Sequence, residues 1–271
     1  MIEQLNVYGK TKLEVAIQRL KTFEPSEGYY LAFSGGKDSV VIKALADMAG
    51  VKYDAHYNVT SVDPPELVRF IKEKYPDVIW EYPRHKDGTR ATMWNLIPKK
   101  KMPPTRLVRY CCDVLKEGGG EGRFVVTGVR WAESSKRKNN RSGLEIARTK
   151  KQRVLADPDN PENETMARYC PTKGKHVLNP IIDWEDEEVW EFIHKFNIPY
   201  CELYDKGYKR LGCIGCPMNP AAAAALERYP KYKQAYLRAF DKMLENMDKA
   251  ELKTTWKTAE DVMKWWLGGK A

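Results

Sequence analysis

The chain has 271 residues, of which 42% are hydrophobic and 31% are charged, and it carries a formal net charge of +9 at pH 7. No apolar run approaches the roughly 18 residues that a membrane-spanning helix needs, so the composition excludes a membrane span. The first residues contain neither a basic nor an apolar signal region, and we therefore expect a cytoplasmic protein.

The first part of the chain predicts strands that alternate with helices. A helical face is predicted over residues 10–23, and short apolar runs predict strands at residues 29–33, 52–58 and 78–82, with helices between the strands. Such alternation implies right-handed crossovers and therefore an α/β fold with a doubly wound, mainly parallel sheet. In sheets of this kind, ligands bind beyond the carboxyl ends of the strands.

A glycine-rich turn joins the first predicted strand to the helix that follows it. The turn reads Ser34-Gly35-Gly36-Lys37-Asp38-Ser39. Its glycines leave backbone N–H groups uncovered at a helix N-terminus, where the helix dipole favours an anion, and its serines and lysine add hydrogen-bond donors and charge. The turn is predicted to bind phosphates, with a plain serine-capped Gly-Gly turn as the alternative. Neither a Walker loop nor Gly-x-Gly-x-x-Gly occurs.

The rest of the chain continues the α/β pattern and ends in helices. Further elements are predicted as a helix at 91–97, strands at 123–128 and 176–182, and an amphipathic helix at 186–196. Residues 157–164, rich in Pro, Asn, Asp and Glu, are predicted to form a mobile loop. Helical spacing recurs from residue 220 onward, and Trp265 and Trp266 are assigned to the core. We predict an N-terminal helix at 1–23, a nucleotide-binding domain at 24–218 and a helical C-terminal region at 219–271.

Positive charge is concentrated in one segment of the chain. Between residues 130 and 153, two acidic residues stand against nine basic ones: Arg130, Lys136, Arg137, Lys138, Arg141, Arg148, Lys150, Lys151 and Arg153. Such a patch favours a polyanionic partner, either a nucleotide or a nucleic-acid backbone. The alternative is a solvated loop without a specific partner.

Four of the six cysteines form two pairs that are far apart in the sequence. The pairs are Cys111-Cys112 and Cys213-Ile214-Gly215-Cys216. In a cytoplasmic protein, cysteines are expected to be free, catalytic or metal-binding rather than joined in disulfides. Adjacent cysteines are awkward for one tetrahedral zinc, whereas each thiolate of a [4Fe-4S] cluster binds its own iron. We favour the cluster over zinc and over unliganded thiols, and we assign Cys170 and Cys201 to the core.

Taken together, these motifs resemble the phosphoadenosine-phosphosulfate (PAPS) reductase-like branch of the PP-loop ATP pyrophosphatases. That branch includes adenylylsulfate (APS) reductases, ATP sulfurylase subunits and DNA phosphorothioation proteins. The resemblance covers residues 29–217 and rests on the glycine loop, the cysteine pairs, and the segments 58–60, 128–134, 179–184 and 207–213.

The resemblance implies a PP-loop fold of the adenine nucleotide α-hydrolase-like type, with an adenine nucleotide in the crevice. It assigns the phosphates and the nucleotide edge to Ser34, Gly35, Gly36, Lys37, Ser39, Asn58, Thr60 and Gly128. It assigns a [4Fe-4S] cluster, as in APS reductases, to Cys111, Cys112, Cys213 and Cys216.

Two features separate the chain from the reductases that it resembles. Sulfonucleotide reductases attack with a cysteine near the C-terminus, but no cysteine follows Cys216. The glycine loop is intact, as in family members that split ATP between its α and β phosphates. We therefore predict an ATP pyrophosphatase that uses Mg-ATP and adenylates a substrate oxygen for sulfur transfer. In this hypothesis Lys37 stabilises the departing pyrophosphate, Asp38 organises Mg²⁺, and Arg130 neutralises a phosphate or the acceptor.

Two other functions stay open at this point. One is a sulfonucleotide (APS or PAPS) reductase-like oxidoreductase that takes its thiol from a partner protein. The other is a non-catalytic module that binds nucleotides or nucleic acids. Under the leading hypothesis, DNA or RNA bound through residues 136–153 is the expected acceptor, and a sulfur donor or thiol reductant protein is the expected partner. The role of the cluster and the oligomeric state are left open.

Overall fold

The structure is a computed structural model, and it describes residues 2–5, 9–147, 153–169 and 175–268. The helices are α1 (Lys12–Thr22), α2 (Lys37–Ala49), α3 (Pro65–Lys74), α4 (Met93–Lys100), α5 (Tyr110–Leu115), α6 (Ser135–Asn140), α7 (Pro161–Tyr169), α8 (Asp186–Lys195), α9 (Ala222–Arg228), α10 (Pro230–Asp248) and α11 (Ala259–Leu267). The strands are β1 (Tyr29–Ala32), β2 (Tyr53–Asn58), β3 (Ile79–Glu81), β4 (Phe124–Val126), β5 (Leu144–Ala147), β6 (Arg153–Ala156) and β7 (His176–Leu178).

The described strands form a seven-stranded sheet in the order β3-β2-β1-β4-β7-β5-β6. Strand β1 pairs in parallel with β2 and β4, and β4 pairs in parallel with β7, whereas β5 is antiparallel to both β6 and β7. The predicted α/β fold with a doubly wound, mainly parallel sheet is therefore confirmed. The chain extends the sheet on one side of β1 with β2 and β3, and on the other side from β4 onward. The carboxyl end of β1 therefore lies at the topological switch point, where such sheets bind ligands.

Strands β5 and β6 lie in the basic segment, where we predicted no strands. Leu144 and Ile146 of β5 are buried, but the intervening Glu145 is also fully buried. Arg141 donates to this carboxylate, and Asn179 Nδ2 donates to its Oε1 at 3.0 Å. The alternation Leu144-Glu145-Ile146 spans only three residues, which is shorter than the alternating run that predicts a strand, so the pairing was hidden from the sequence.

The predicted mobile loop at residues 157–164 is wrong in its second half, because α7 begins at Pro161. Proline at the first helical position and glutamates in the first turn favour a helix N-terminus, and the loop-like composition concealed this signal. Asp159, in the preceding turn, accepts from the buried Arg19 with an Nη2–Oδ2 distance of 2.6 Å. The turn is thus held by a side chain 140 residues away.

By its internal contacts the chain divides into two compact units. The first unit comprises Met1–Tyr57, Glu66–Trp80 and Gly119–Arg210. Here α1 begins at a capping box in which Thr11 Oγ1 accepts from the Glu14 N–H at 3.1 Å, and both α1 and α8 pack on α2. Helix α2 contributes the fully buried Val40, Val41 and Ile42 to the core of this unit.

The second unit comprises Asn58–Pro65, Glu81–Gly118 and Leu211–Ala271. Its core forms where α4 and α11 pack on α10. Trp266 is 6% exposed and donates from Nε1 to the Pro104 carbonyl at 2.7 Å, and Trp265 packs partly buried against this core, as predicted for both. The last helices, which we predicted as a C-terminal region, belong to this unit. No helix of the described residues is long and apolar enough to cross a membrane.

Candidate functional site

The loop at residues 34–39 connects the carboxyl end of β1 to the N-terminus of α2 in the first unit. Gly36 is the N-cap residue of α2 and makes no side-chain cap, and the Lys37 N–H of the first turn donates to a side chain from another part of the chain. Gly35 has a φ of +71°, and a Cβ atom there would lie 2.7 Å from Leu67 and 2.9 Å from Ile71. Both the backbone conformation and the space therefore require glycine at position 35.

Gly36 leaves a small space beside the loop. Its φ is −76°, which any residue can adopt, but a Cβ atom would lie 3.4 Å from Ser34 Oγ and 3.5 Å from Tyr204 Oη. The Lys37 N–H donates to Tyr204 Oη at 2.8 Å, and Ser39 Oγ donates to the Gly36 carbonyl at 2.8 Å. Two hydroxyl groups thus border a space at the start of a helix, an arrangement suited to an oxyanion.

A network of charges adjoins the loop, with the fully buried Arg130 at its centre. The guanidinium donates from Nε to Asp38 Oδ1 at 2.7 Å, from Nη1 to the Trp184 carbonyl at 3.0 Å, and from Nη2 to Asp186. Burial acts to lower the pKa of Arg130, but the two carboxylates outweigh it and raise the pKa. Lys37 Nζ, also buried, lies 3.4 Å from Asp186 Oδ1 and 3.9 Å from Asp38 Oδ2.

The three residues predicted to be catalytic are therefore brought together. Arg130 contacts Asp38 directly, and both Lys37 and Arg130 pair with Asp186. In this arrangement Arg130 holds carboxylates in place, while its predicted contact with a phosphate or an acceptor stays a prediction.

Sequence reasoning missed Asp186 and Tyr204. Asp186 is the first residue of α8, and an acidic residue at a helix N-terminus is already explained by its favourable interaction with the helix dipole. Tyr204 reaches the loop from 167 residues away, a contact made only by the fold. Partial burial acts to raise the pKa of Asp186, but the hydrogen bond from Arg130 and the charge of Lys37 lower it overall.

Arg137 and Arg141 of the basic segment form an arginine cluster with Arg210 in the first unit. Glu133, which is almost buried, accepts from Arg137 and lies 3.2 Å from Arg210 Nη2. Burial and the nearby charges of Arg210 and Arg141 lower the pKa of Arg137 to about 10. The cluster therefore holds like charges that an anion would relieve. Three other basic residues of the segment lie outside the described residues: Arg148, Lys150 and Lys151.

The remaining residues that were predicted to bind the nucleotide are divided between the two units. In the first unit, a Cβ atom on Gly128 would lie 2.9 Å from the backbone of Asp38, so glycine allows the chain after β4 to approach the loop. Asn58 and Thr60 belong to the second unit, where Thr60 Oγ1 donates to Asp63 Oδ2 at 2.7 Å. Their contact with a nucleotide stays a prediction.

All four cysteines of the predicted pairs are half-buried and lie in the second unit. Helix α5 carries Cys111 and Cys112, while Cys213 and Cys216 close a turn in which the Cys216 N–H donates to the Cys213 carbonyl at 3.2 Å. Cys111 and Cys213 both pack, partly buried, against the core of this unit, and the hydrogen bond with Cys112, burial and the charges of the other three cysteines act together to raise the pKa of Cys111. The fold therefore gathers the two pairs into one group. Cys201 is fully buried in the first unit, as expected for a core residue, and Cys170 lies outside the described residues.

Two cations accompany this cysteine group. The hydrogen bond between Cys111 and Cys112 raises the pKa of Cys111 and lowers that of Cys112, and Arg109 Nη2 lies 3.3 Å from Cys112 Sγ. Burial raises the pKa of Cys213 to about 11, while the Cys213 sulfur raises the pKa of Lys116. Nearby cations favour thiolates and would offset the negative charge of a bound centre.

The donor set of this group consists of four thiols in the second unit. Among the described residues, no three or more Cys, His, Asp or Glu side chains are arranged to hold one ion. In a [4Fe-4S] cluster each thiolate binds a separate iron, so the four sulfurs need not converge on one point. The four thiols and their neighbouring cations are compatible with such a cluster.

Comparisons with known proteins point to one family. The model of the phosphoadenosine phosphosulfate reductase domain matches residues 28–219. An uncharacterized protein of Methanocaldococcus jannaschii is 26% identical over 217 residues, a match that covers 79% of this chain but only 46% of that protein. An adenosine 5'-phosphosulfate reductase of Staphylococcus epidermidis is 26% identical over 227 residues, covering 79% of this chain and 81% of the relative. The crystal structure of a PAPS reductase from Candida auris, a phosphate complex, is also similar. The match covers 77% of this chain and 90% of that protein's chain, with a TM-score of 0.48 and a sequence identity of 18%.

Proposed function

We propose that this chain, which belongs to the phosphoadenosine phosphosulfate reductase domain family, is an ATP pyrophosphatase within that family. It binds Mg-ATP at residues 34–39, splits ATP into AMP and pyrophosphate, and adenylates an oxygen of an acceptor. Sulfur supplied by a sulfur-carrying partner protein then attacks the acceptor atom that bears the adenylated oxygen, and AMP leaves with that oxygen.

The observation that carries this proposal is the intact glycine loop. Gly35 is required by conformation and by space, and Gly36 leaves room beside the hydroxyls of Ser34 and Tyr204. Pyrophosphate spreads its charge over several oxygens, so a leaving group of this kind needs a row of donors rather than one. Backbone N–H groups, serine hydroxyls and the ammonium of Lys37 supply such a row.

The chemistry assigned to the loop is stabilisation of the leaving group. An acceptor oxygen attacks the α-phosphorus, the bond from that phosphorus to the oxygen bridging the β-phosphate breaks, and the electron pair leaves with pyrophosphate. Lys37 and the loop donors hold the departing charge. Arg130 keeps Asp38 and Asp186 in fixed positions beside the loop. Mg²⁺ bound with ATP would offset phosphate charge, and we assign it to the carboxylates of Asp38 and Asp186.

A polyanionic acceptor is supported by the arginine cluster. Arg137, Arg141 and Arg210 outnumber the two glutamates that they contact. The low pKa of Arg137 reflects burial and repulsion by its arginine neighbours, and a phosphodiester would relieve that repulsion. We therefore propose DNA or RNA as the acceptor, with a sulfur-carrying protein as the second partner.

We also propose that Cys111, Cys112, Cys213 and Cys216 hold a [4Fe-4S] cluster. When bound, the cluster would supply a site for sulfur or electrons and would cross-link α5 to the turn at residues 213–216. Arg109 and Lys116 would balance its negative charge, since each lies against one of the cysteines.

A sulfonucleotide reductase is the second candidate function. It is favoured by the likeness to the Staphylococcus epidermidis protein, which bears the name of an APS reductase and matches 79% of this chain. In that case the nucleotide would be APS or PAPS, and the thiol that attacks the sulfur would come from a partner protein.

One assay separates the two candidates. Anaerobically purified protein is incubated with Mg-ATP and DNA, RNA or no acceptor, and released pyrophosphate is measured. In parallel, sulfite is measured after incubation with APS or PAPS and reduced thioredoxin. We expect pyrophosphate and no sulfite, and the pyrophosphate rate should rise with the correct acceptor and fall with added salt. Sulfite without pyrophosphate would refute the proposal and support the reductase.

A further inference from the structure

The hydroxyl of Tyr204 lies against the glycine loop, at a position that none of the sequence motifs marks. Its oxygen accepts from the Lys37 N–H at 2.8 Å. It also lies 3.5 Å from the point where a Gly36 Cβ would be, and Ser34 Oγ lies 3.4 Å from the same point. Both hydroxyls therefore border the methyl-sized gap that Gly36 leaves at the first turn of α2.

The position of this hydroxyl is set by packing. The ring of Tyr204 meets Trp190 of α8 edge to face, with centroids 5.0 Å apart and planes at 84°. The Tyr204 N–H donates to the Cys201 carbonyl at 3.1 Å, and the Gly207 N–H donates to the Tyr204 carbonyl at 3.0 Å. Because ring and backbone are both held, the hydroxyl needs little further ordering to meet a ligand.

Tyr204 is a donor at neutral pH. Burial raises the pKa of its phenol, and the charge of Asp38 acts in the same direction. A neutral hydroxyl has one proton and two lone pairs, so it can accept from the Lys37 N–H and donate to another group at the same time. An oxyanion in the space beside Gly36 would be the acceptor for that proton.

We propose that Tyr204 is a phosphate-binding residue of the glycine loop. Its O–H donates to a phosphoryl oxygen seated beside Gly36, opposite Ser34, while its oxygen keeps the Lys37 amide in place. The inference rests on the proposed function in one respect, since it takes the loop to be where the pyrophosphate group of ATP binds.

The test is a binding experiment that needs no turnover. Wild type and Tyr204→Phe are titrated calorimetrically with inorganic pyrophosphate, with ATP and with adenosine, without an acceptor. Loss of a hydrogen bond to a charged ligand should lower the affinity for pyrophosphate and for ATP about tenfold. The affinity for adenosine should not change. Tyr200→Phe is the matched control, because Tyr200 packs against the same Trp190 but donates to Asp205 instead, at 3.0 Å. It should bind all three ligands like wild type.

A second variant tests the same space without touching the tyrosine. In Gly36→Ala the backbone conformation stays allowed, and the new methyl group would lie 3.4 Å from Ser34 Oγ and 3.5 Å from Tyr204 Oη. The fold should therefore tolerate this substitution. The methyl group fills the space assigned to the phosphoryl oxygen and should abolish pyrophosphate binding. Gly118→Ala, where a Cβ meets nothing within 4 Å, is its control.

Each outcome decides the inference. Equal pyrophosphate affinity in wild type and Tyr204→Phe overturns it and leaves the proposed function standing. An equal loss of affinity for adenosine also overturns the inference, because the tyrosine would then shape the nucleotide site as a whole and not bind the phosphate. Wild type that binds no pyrophosphate overturns both proposals. If wild type binds pyrophosphate but releases none from ATP, and Tyr204→Phe binds it about tenfold less tightly, the proposed function fails and the assignment of Tyr204 holds.

Discussion

Arg130 donates from all three nitrogens of one fully buried, planar guanidinium, a spread that the single nitrogen of a lysine does not have. A lysine would keep the charge but lose the fork that joins Asp38 to Asp186. We predict that Arg130→Lys lowers the free energy of unfolding by about 2 kcal/mol, because the lysine loses hydrogen bonds to charged partners, and that it lowers pyrophosphate release. Urea unfolding measures the first and the pyrophosphate assay the second. The exposed Arg69→Lys, in the same unit, is the control. A stability equal to that of wild type would mean that the network does not hold the loop.

Asp186 should make stability depend on pH in the acid range. Its folded pKa lies below the ordinary value of 3.8, despite partial burial, because Arg130 and Lys37 favour the carboxylate. A lowered pKa contributes stability that is complete above the ordinary value and is lost as the pH falls through the folded value. The stability difference between wild type and Asp186→Asn should thus be constant at about pH 5 to 7 and shrink below pH 3.8. Denaturant unfolding at several pH values measures it, with the exposed Glu187→Gln as control. A difference that grows as the pH falls would contradict the assignment.

At the scale of residues, the sequence identified the loop but only part of the network around it. Lys37 and Asp38 stand in a motif, and Arg130 follows a strand in a recognisable segment, so each had a local signal. Asp186 and Tyr204 reach the loop only through the fold, and their own surroundings in the sequence indicate nothing more than a helix start and a turn.

Among the elements, the turn that carries Cys213 and Cys216 depends on one glycine. Gly215 has a φ of +71°, and a Cβ atom there would lie 3.1 Å from Trp266 and from Tyr236. Tyr236 also donates from its hydroxyl to the Ile214 carbonyl at 2.9 Å, so the turn is fastened to α10. Any substitution at Gly215 must strain the backbone and displace two aromatic rings.

We predict that Gly215→Ala destabilises the protein by about 2 kcal/mol and lowers the iron content after anaerobic purification. Thermal unfolding and iron analysis are the measurements. Gly212→Ala is a close control, because a Cβ atom at that position meets nothing within 4 Å. Full iron content and wild-type stability in Gly215→Ala would show that the turn adapts.

The elements that the sequence predicted well are those with an uninterrupted pattern. Strands β1 and β2 and helices α1 to α3 have continuous apolar runs or faces, and the structure places them within a few residues of the predicted ranges. Strand β5 was hidden because its alternating run has only three residues, and α7 was hidden by a composition typical of loops. Distant contacts hold both segments in the structure: Asn179 donates to Glu145 of β5, and Arg19 donates to Asp159 in the turn before α7.

On the scale of the whole molecule, the division into units could not be read along the chain. The second unit is assembled from Asn58–Pro65, Glu81–Gly118 and Leu211–Ala271, three stretches separated by parts of the first unit. Sequence composition predicts linear boundaries, because linkers and charge runs are local, whereas these stretches are joined by packing around α4, α10 and α11. The consequence for function is that the loop network and the cysteine group lie in different units.

This separation predicts that the two sites can be removed independently. Ser34 to Ser39, Arg130, Asp186 and Tyr204 all belong to the first unit, and the four paired cysteines belong to the second. The double variant Cys111→Ala/Cys216→Ala should therefore lose its iron but bind pyrophosphate with an affinity within about threefold of wild type, because no donor to the anion is changed. Anaerobic iron analysis and calorimetry measure the two properties on one preparation.

Cys201→Ala is the control, since Cys201 is buried in the first unit, and it should keep the iron. If the double variant keeps its iron, the four cysteines are not the ligands. If it loses iron and pyrophosphate binding together, while still unfolding cooperatively, the cysteine group shapes the loop and the sites are coupled. Retained pyrophosphate binding with lost ATP splitting would instead place the cluster in the chemical step, because the leaving-group site would be intact and only turnover would fail.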